Sequence, residues 1–330
     1  MTDNLLTAMT ATGLAPAKLN LSLRCVGRKT NGYHLLEMLN VPFDMCDQLT
    51  LSLFSDGRSS SVTVKDQIEE NKILAPCAPR LSANLIAELE SCASNIAARA
   101  VAQTLAALKL NFTFHLSLVK QIPVGAGLGG GSSDAACAIK LTLEIAGRII
   151  NSSGPIPQLS PEGIAQLALE LGADVPYFLS AGPALVEGIG EIVTAIDMPV
   201  LQAHSVALFM PSFAINTAQV YALLRAENGL GLVKNTESPL LAELLARRYN
   251  DLQRFAVQLQ PDLAQLLAAI EGLNTRFSRT FPYSGMSGSG SACFVVFPSN
   301  RCAELTPYFD QIASAHKCTI KICALRLQPD

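Results

Sequence analysis

The chain has 330 residues, a length that accommodates two domains more comfortably than one. It is 49% hydrophobic and 15% charged, which permits a large core and excludes an intrinsically disordered chain. The formal net charge is only −3, and no basic run alternates with aromatic residues. This composition excludes a nucleic-acid partner that binds through a broad basic groove.

Cysteine and hydropathy patterns predict a reducing compartment. The nine cysteines are odd in number, scattered and without a Cys-x-x-Cys pair, which is typical of core thiols rather than disulfides or zinc ligands. The four histidines are dispersed, so we expect no metal-ligand cluster. The first cationic residue is Lys18 and no apolar run approaches about 18 residues, so we expect a cytoplasmic protein without signal peptide or membrane partner.

The first half of the chain alternates strand and helix patterns. Residues 1–13 are predicted as a loose leader, and 18–26 alternate apolar and polar side chains as a strand does. The pattern then predicts a turn at 30–33, strands at 48–54 and 61–65, a mainly helical stretch at 84–110, and a strand at 111–119.

The stretch 123–134 reads Pro-Val-Gly-Ala-Gly-Leu-Gly-Gly-Gly-Ser-Ser-Asp and precedes a helix predicted at 135–146. Each glycine costs about 0.5–1 kcal/mol inside a helix or strand, but lets the backbone approach a ligand closely. Ahead of a helix, the exposed N–H groups and the helix dipole form an anion site. We expect the anion to be the phosphate chain of a nucleotide.

Two familiar phosphate motifs do not account for this loop. Gly125, Gly127 and Gly130 satisfy G-x-G-x-x-G, but a dinucleotide site also requires a following parallel strand, and residues 151–157 read as a loop. The Walker pattern requires a Lys that does not follow Gly131. A flexible linker is disfavoured because a strand and a helix flank the run.

The remaining elements form two groups. Ser160-Pro-Glu begins a helix that ends at Gly172 and is followed by Asp174, and 183–194 read as a strand pair with a glycine turn. Beyond residue 197 we predict strands at 205–210, 292–298 and 318–327 and helices near 217–227, 239–248, 261–273 and 301–315. This order is typical of an α+β sandwich with antiparallel strands.

Phosphoryl transfer gives a reason for separate residues to meet. It requires a phosphate cradle, a metal ion, a cation and a carboxylate near the acceptor hydroxyl. The glycine loop supplies the cradle, Ser132 or Ser133 could reach the metal, Lys18 is the candidate cation and Asp174 the candidate base. Taken singly, Lys18 also fits a solvated strand end, and Asp174 a turn before X-Pro.

Five segments carry a family resemblance. The loop at 123–136 resembles the central phosphate loop of the GHMP kinases. Together with 16–21, 31–34, 171–176 and 187–191, it occurs in the order found in the 4-diphosphocytidyl-2-C-methyl-D-erythritol kinase family. The resemblance runs from about Ala15 to the end. Asn31 departs from it, because many relatives have Asp there, and the segment before Asn84 lacks the acidic residues of the family.

The resemblance implies an α+β protein with the two-domain GHMP kinase fold. An N-terminal mixed α/β domain at 1–198 would bind ATP, a C-terminal ferredoxin-like α+β sandwich would occupy 199–330, and the active site would lie between them. The implied activity is phosphorylation of the 2-hydroxyl of a cytidyl diphosphate sugar alcohol by ATP with Mg²⁺, in the non-mevalonate isoprenoid pathway. The implied partner is this small molecule, and the implied state is a monomer or weak homodimer.

The resemblance also implies residue roles. Lys18 and Asp174 would be catalytic, and Ser287–Ser291 would lie beside the substrate diphosphate. The implied substrate contacts are Asn20 for positioning, His34 for the cytosine edge, and Tyr33 and Tyr221 for stacking. The implied ATP contacts are Pro123, Val124, Gly125, Ala126, Gly127, Leu128, Gly129, Gly130, Gly131, Ser132 and Ser133, with Asn84 and Lys120 near adenine.

Alternatives remain at this point. Another GHMP kinase, for homoserine or mevalonate, would not need the base-reading pair Tyr33-His34. A nucleotide-binding protein without catalytic activity would not need both Lys18 and Asp174. A nicotinamide oxidoreductase would need the parallel strand that is not predicted after the glycine loop.

Overall fold

The computed structural model describes residues 9–29, 32–55, 59–66, 82–153, 158–180, 182–226, 250–278 and 280–327, with the side chains of 150–153 excepted. Within these ranges the chain forms a six-stranded and a four-stranded sheet, each covered by helices. None of the helices in these ranges is long and apolar enough to cross a bilayer. The eight cysteines that they contain are free thiols.

The first sheet is organised by a long antiparallel hairpin. In chain order, the first two strands form the hairpin, and the other edge of the second strand pairs antiparallel with the fourth and the fifth strands. The third strand pairs parallel with the fourth, and the sixth pairs antiparallel with the fifth. The six strands are β1 (Met9–Arg28), β2 (His34–Phe54), β3 (Ser61–Asp66), β4 (Thr113–Lys120), β5 (Ala184–Gly188) and β6 (Ile192–Ala195).

One prediction in this hairpin was wrong, and one part of it was not predicted. Residues 9–13 begin β1 rather than belonging to a leader, because they pair with the end of β2. The first half of β2 was not predicted, because residues 38–43 are buried on both faces of the sheet. A strand buried on both faces shows a continuous apolar run instead of alternation.

Five helices accompany the first sheet: α1 (Ala83–Glu90), α2 (Ile96–Ala107), α3 (Gly130–Ser153), α4 (Pro161–Leu171) and α5 (Val175–Leu179). The predicted helical stretch at 84–110 is divided because Asn95 caps α2, its Oδ1 accepting from the N–H groups of Ala97 and Ala98 at 2.9 and 3.2 Å. Ser160 caps α4 as predicted, accepting from Gly163 N at 3.1 Å.

Helix α3 starts earlier than predicted. It begins at Gly130 rather than at residue 135, and Ser133 N donates to Gly129 O at 2.9 Å in its first turn. The last glycines and both serines of the loop therefore belong to the helix. A Cβ on Gly130 would lie 2.9 Å from Ile122, so close packing explains glycine in this turn.

The second sheet is antiparallel, in the order β10-β7-β9-β8. Its strands are β7 (His204–Pro211), β8 (Tyr283–Met286), β9 (Cys293–Pro298) and β10 (Cys318–Ala324), and its helices are α6 (Thr217–Ala226), α7 (Gln253–Leu259), α8 (Asp262–Arg276) and α9 (Cys302–Ala315). The short elements β8 and α7 were not predicted, and the helix predicted at 239–248 lies outside the described residues.

The second sheet is joined to the β1–β2 hairpin. Asp251 N donates to Leu23 O at 3.0 Å, and Cys25 N donates to Asp251 Oδ2 at 2.7 Å. Arg326 N donates to Pro42 O at 2.9 Å. These contacts leave a cleft between the two units, and the domain boundary at 198 and 199 stays a prediction.

Candidate active site

A cavity of about 570 Å³ lies where the two units meet, and the glycine loop forms one wall of it. Every residue from Pro123 to Ser132 lines this cavity. Ser133 does not, since its side chain is buried on the other side, so Ser132 is the loop hydroxyl that faces the cavity.

The loop has the backbone shape that glycine permits. Gly125, Gly127 and Gly129 have φ values of 74°, 79° and 73°, in the left-handed region that disfavours other residues. A Cβ on Gly127 would lie 2.2 Å from the carbonyl oxygen of Ser287. The loop therefore packs directly against the glycine- and serine-rich segment of the second unit.

Two further contacts hold the loop in this position. Lys18 N donates to Leu128 O at 3.0 Å, which ties the loop to β1. Ser287 Oγ donates to Gly127 O at 3.0 Å and accepts from Asn20 N at 3.2 Å. Ser287 thus supports the loop and β1 together, whereas Ser289 lines the cavity with its Oγ 2.7 Å from Thr217 Oγ1.

Lys18 and Asp174 meet on the wall of the cavity beside the loop. Lys18 Nζ lies 3.5 Å from Asp174 Oδ2 and donates to Asn20 Oδ1 at 2.5 Å. The Lys18 side chain is 4% exposed and the Asp174 side chain 31%. The ammonium is therefore buried, whereas the carboxylate is open to the cavity. Asn20 in turn donates from Nδ2 to Asn40 Oδ1 at 2.6 Å, which fixes the orientation of its amide.

Asp174 lies in the turn after α4 that the sequence suggests, but a short helix that was not predicted, α5, begins at the next residue. The buried face of α5 includes Tyr177 and Phe178. A Cβ on Gly129 would lie 2.9 Å from the Phe178 ring and 3.2 Å from Lys18 Cε, so α5, the loop and the lysine are closely packed together.

Three predicted substrate residues share a second cavity of about 610 Å³. The rings of His34 and Tyr221 are 5.5 Å apart between centroids and tilted by 32°. Tyr33 lies at the same cavity and is 59% exposed. Ala173 and Ile189 line both cavities, so the aromatic pocket is continuous with the Lys18–Asp174 wall.

His34 is buried and has an imidazole nitrogen, Nε2, that is left without a hydrogen-bond partner among the described residues. Burial, reinforced by the charges of Arg28 and Arg225, lowers the pKa of His34. A neutral imidazole offers one donor and one acceptor, and the hydrogen-bonding capacity of Nε2 is not used by any described group.

A buried ion triad lies beneath the loop and was missed by sequence reasoning. The Lys120 ammonium contacts the carboxylates of Asp47 and Asp134, with Asp134 Oδ2 at 2.6 Å. Asp47 Oδ1 also accepts from Gln121 N at 2.6 Å and Ile122 N at 2.9 Å. The triad therefore anchors both the chain entering the loop and the first turn of α3.

The triad changes the interpretation of Lys120. Its ammonium faces two carboxylates rather than open space, so a nucleotide contact from this residue would come from its backbone. Burial and the charge of Asp47 raise the pKa of Asp134, whereas the Lys120 ammonium opposes this shift and favours the carboxylate. The signal that could have found the triad is the presence of Asp47 within the largely apolar run of β2.

Asn84 is placed less favourably than predicted. It is exposed on the first turn of α1 and is not among the residues that line the cavity. Leu85, Glu88 and Leu89 of the same helix do line it. The helix is therefore in place beside the cavity, whereas the Asn84 contact stays a prediction.

We expect Lys120→Met to destabilise the protein by about 3–5 kcal/mol, because it leaves two buried carboxylates without their cation. The free energy of unfolding in urea measures this loss. Glu144→Gln is the control, since Glu144 pairs with Arg148 on the surface of α3, and such a pair contributes about 0.5 kcal/mol or less. Equal losses in the two variants would contradict a stabilising triad.

Comparisons with known proteins place this geometry in a family. The family model for the GHMP kinases N terminal domain matches residues 95–182. A 4-diphosphocytidyl-2-C-methyl-D-erythritol kinase of Polaromonas sp. (strain JS666 / ATCC BAA-500) is 35% identical over 286 residues, covering 86% of this chain and 82% of the relative. The kinase of that name from Sinorhizobium medicae (strain WSM419) is 35% identical, with 88% of each chain covered.

The chain belongs to the 4-diphosphocytidyl-2-C-methyl-D-erythritol kinase family. A crystal structure of 4-(cytidine 5'-diphospho)-2C-methyl-D-erythritol kinase matches with a TM-score of 0.62 and 27% identity over 96% of this chain and 100% of that one. Homoserine kinase from Cytophaga hutchinsonii matches with a TM-score of 0.63 but 16% identity, covering 100% of this chain and 99% of that one, which shows the fold alone.

Membership of the 4-diphosphocytidyl-2-C-methyl-D-erythritol kinase family confirms several predictions. The α+β GHMP kinase fold, the small-molecule kinase activity and the use of ATP are those of the family. The roles of individual residues stay predictions. What the structure adds is that Lys18, Asn20, Asp174 and the glycine loop lie around one cavity.

Proposed function

We propose that the protein transfers the γ-phosphate of ATP to the 2-hydroxyl of 4-diphosphocytidyl-2-C-methyl-D-erythritol, releasing ADP, in the non-mevalonate route to isoprenoid precursors. One observation carries the choice of substrate. A pocket with aromatic walls and an unpartnered His34 nitrogen continues into the cavity that holds Lys18 and Asp174. This arrangement supports an acceptor that combines a flat, hydrogen-bonding base with a hydroxyl at some distance from it.

The donor side is the glycine loop. Backbone N–H groups from Gly125 to Ser132, together with the start of α3, would hold the phosphates of ATP. The 24 residues of α3 supply a full helix dipole at this end. We assign the domain at 1–198 to ATP binding on the same grounds.

The residues present fit a magnesium ion. Mg²⁺ is held by one or two protein oxygens together with substrate phosphates. The Ser132 hydroxyl lines the cavity, and Asp134 Oδ1 has no hydrogen-bond partner within the described ranges. These two oxygens would hold the ion, which when bound neutralises charge on the β and γ phosphates.

The acceptor side is the Lys18–Asp174 pair. Asp174 accepts the proton of the substrate 2-hydroxyl as that oxygen forms its bond to the γ-phosphorus. The bond from the γ-phosphorus to the bridging oxygen breaks, and its electron pair leaves with ADP. Lys18 stabilises negative charge between the hydroxyl oxygen and the phosphoryl group, and Asn20 positions the acceptor.

The base pocket selects the substrate. Tyr33 and Tyr221 stack against the cytosine ring, and His34 hydrogen-bonds its edge. Gly288 and Ser289 of the Ser287–Ser291 segment line the first cavity, and we expect this segment to lie beside the substrate diphosphate. The eight free thiols support a reducing, cytoplasmic location, where the enzyme would act as a monomer or weak homodimer.

The test offers purified protein and Mg-ATP to three acceptors in parallel. We expect ADP release with 4-diphosphocytidyl-2-C-methyl-D-erythritol and none with homoserine or mevalonate. Release with homoserine or mevalonate alone would overturn the proposed substrate. No release with any of the three would favour a silent nucleotide-binding protein.

Tyr33→Ala is expected to weaken binding of the cytidyl substrate by about 1–3 kcal/mol, the range of a base–aromatic stacking contact. The KM for this substrate measures the effect, and the KM for ATP should not change. Tyr33→Phe is the matched control, because it keeps the ring and should keep the KM. If Tyr33→Ala has the KM of the unmodified enzyme, the base binds elsewhere.

A further inference from the structure

The segment Glu187-Gly-Ile-Gly-Glu191 has no part in the proposed chemistry, yet its geometry is demanding. It forms the turn between β5 and β6, and Gly188 and Gly190 have φ values of 73° and 123°. A Cβ on Gly188 would lie 2.4 Å from Glu191 Oε2. The carboxylate of Glu191 therefore occupies the space that a side chain at Gly188 would fill.

Gly190 packs just as closely against the backbone next to Asp174. A Cβ on Gly190 would lie 2.1 Å from the carbonyl oxygen of Ala173, the residue before Asp174. Backbone-to-backbone contact of this kind leaves no room for adjustment by a flexible side chain. The β5–β6 turn therefore supports the peptide that carries Asp174.

The two oxygens of Glu191 bind different parts of the molecule. Oε2 accepts from the backbone N–H of Ile189, and Oε1 accepts from Lys29 Nζ at 3.1 Å. Burial would raise the pKa of Glu191, but hydrogen bonds from backbone N–H groups and from Lys29 outweigh it and lower the pKa. The carboxylate is thus charged at neutral pH and spans two turns.

Lys29 belongs to the turn that carries Tyr33. Its backbone N–H donates to Tyr33 O at 2.8 Å, and Gly32 N donates to Lys29 O at 2.9 Å. At the other end, Ile189 lines both the aromatic pocket and the cavity with Asp174. One ion pair therefore connects the base pocket to the catalytic wall.

We propose that Lys29 and Glu191 are positioning residues that hold the Tyr33 turn against the β5–β6 turn, so that the bound base and Asp174 keep a fixed separation. The phosphate loop takes no part in this contact. The pair therefore acts on the acceptor substrate and not on ATP. This inference rests on the proposed function, because it assigns the base pocket to the acceptor.

A double-mutant cycle tests the pair. Lys29→Met and Glu191→Gln remove the ionic contact, while the Gln oxygen can still accept from Ile189 N. We expect each variant to raise the KM for the cytidyl substrate about two- to fivefold, the range of an exposed ion pair, and to leave the KM for ATP unchanged. The double variant should be no worse than the more affected single variant.

Two results would overturn the proposal. Multiplicative effects in the double variant would show that the residues act independently. An equal rise in the KM for ATP, or no rise in either KM, would show that the contact does not position the acceptor. A purely structural role would lower the active fraction and leave both KM values as they are.

Two glycine-to-alanine variants test whether the β5–β6 turn supports Asp174. Gly190→Ala is expected to lower kcat at least about tenfold, because the turn must move away from Ala173. Gly147→Ala is the matched control, since a Cβ there meets nothing within 4 Å on α3, and it should leave kcat unchanged. Equal kcat values for the two folded variants would remove the β5–β6 turn from the positioning of Asp174.

Binding of CDP by calorimetry separates this proposal from the proposed function. It needs no turnover and, measured with saturating ADP so that the glycine loop is occupied, it reports on the base pocket. If the unmodified protein binds CDP but does not phosphorylate the cytidyl substrate, the proposed function fails. If turnover is as proposed but Lys29→Met and Glu191→Gln bind CDP as tightly as the unmodified protein, the positioning role fails.

Discussion

Replacing Asp174 with asparagine is expected to lower kcat by about 10²- to 10⁴-fold, the contribution of a positioned proton acceptor. The amide keeps the shape of the side chain but cannot take the hydroxyl proton. Lys18 Nζ, 3.5 Å from the carboxylate, would then face a neutral group. Steady-state turnover of the cytidyl substrate measures the loss, and calorimetry with ATP should show unchanged affinity, since the glycine loop is untouched.

Asp310→Asn is the control for Asp174→Asn. Asp310 is an exposed residue of α9, in the unit opposite the glycine loop, and its replacement should leave kcat unchanged. Near-normal turnover of Asp174→Asn would remove the carboxylate from proton transfer and leave it, at most, an orienting role.

Lys18→Met is expected to lower kcat by about 10²- to 10³-fold, as the loss of one preorganised group that stabilises transition-state charge does in other enzymes. Methionine keeps the apolar stem that packs beside the glycine loop and removes the ammonium. The Asn20 amide oxygen, 2.5 Å from Nζ, also loses its donor. Because the effect falls on the transition state, kcat and kcat/KM should fall together.

Lys321→Met is the charge-matched control for Lys18→Met, because Lys321 lies on β10, away from the cavity. It should leave both kinetic parameters unchanged. A Lys18→Met enzyme with full kcat and only a raised KM for ATP would show that Lys18 binds the ground state and does not stabilise the transition state.

The sequence predicts the parts of the fold whose local chemistry is distinctive. The Ser160 cap, the alternating strand at 18–26 and the glycine turn at 188–190 all lie where their patterns indicate. The first half of β2 escapes prediction because burial on both faces removes its alternation. The start of α3 is not predicted because glycine disfavours helices, and only the structure shows that the close approach of Ile122 requires glycine in this turn.

The residues of the site also divide into those that a local pattern predicts and those that only distant contacts bring together. The glycine loop is predicted as a phosphate site from its residues alone, because its composition has few other uses. Lys18 and Asp174 are single charged residues with ordinary alternative roles, so only the resemblance and then the structure join them. The Asp47–Lys120–Asp134 triad depends on contacts between three distant segments, which no local pattern records.

The most direct measurement is a crystal structure with a non-hydrolysable ATP analogue and the cytidyl substrate bound together. We predict the γ-phosphate at the loop between Gly125 and Ser132, the cytosine between Tyr33 and Tyr221, and the 2-hydroxyl within hydrogen-bond distance of Asp174. A substrate hydroxyl far from Asp174, or a nucleotide phosphate chain away from the glycine loop, would contradict the proposed function.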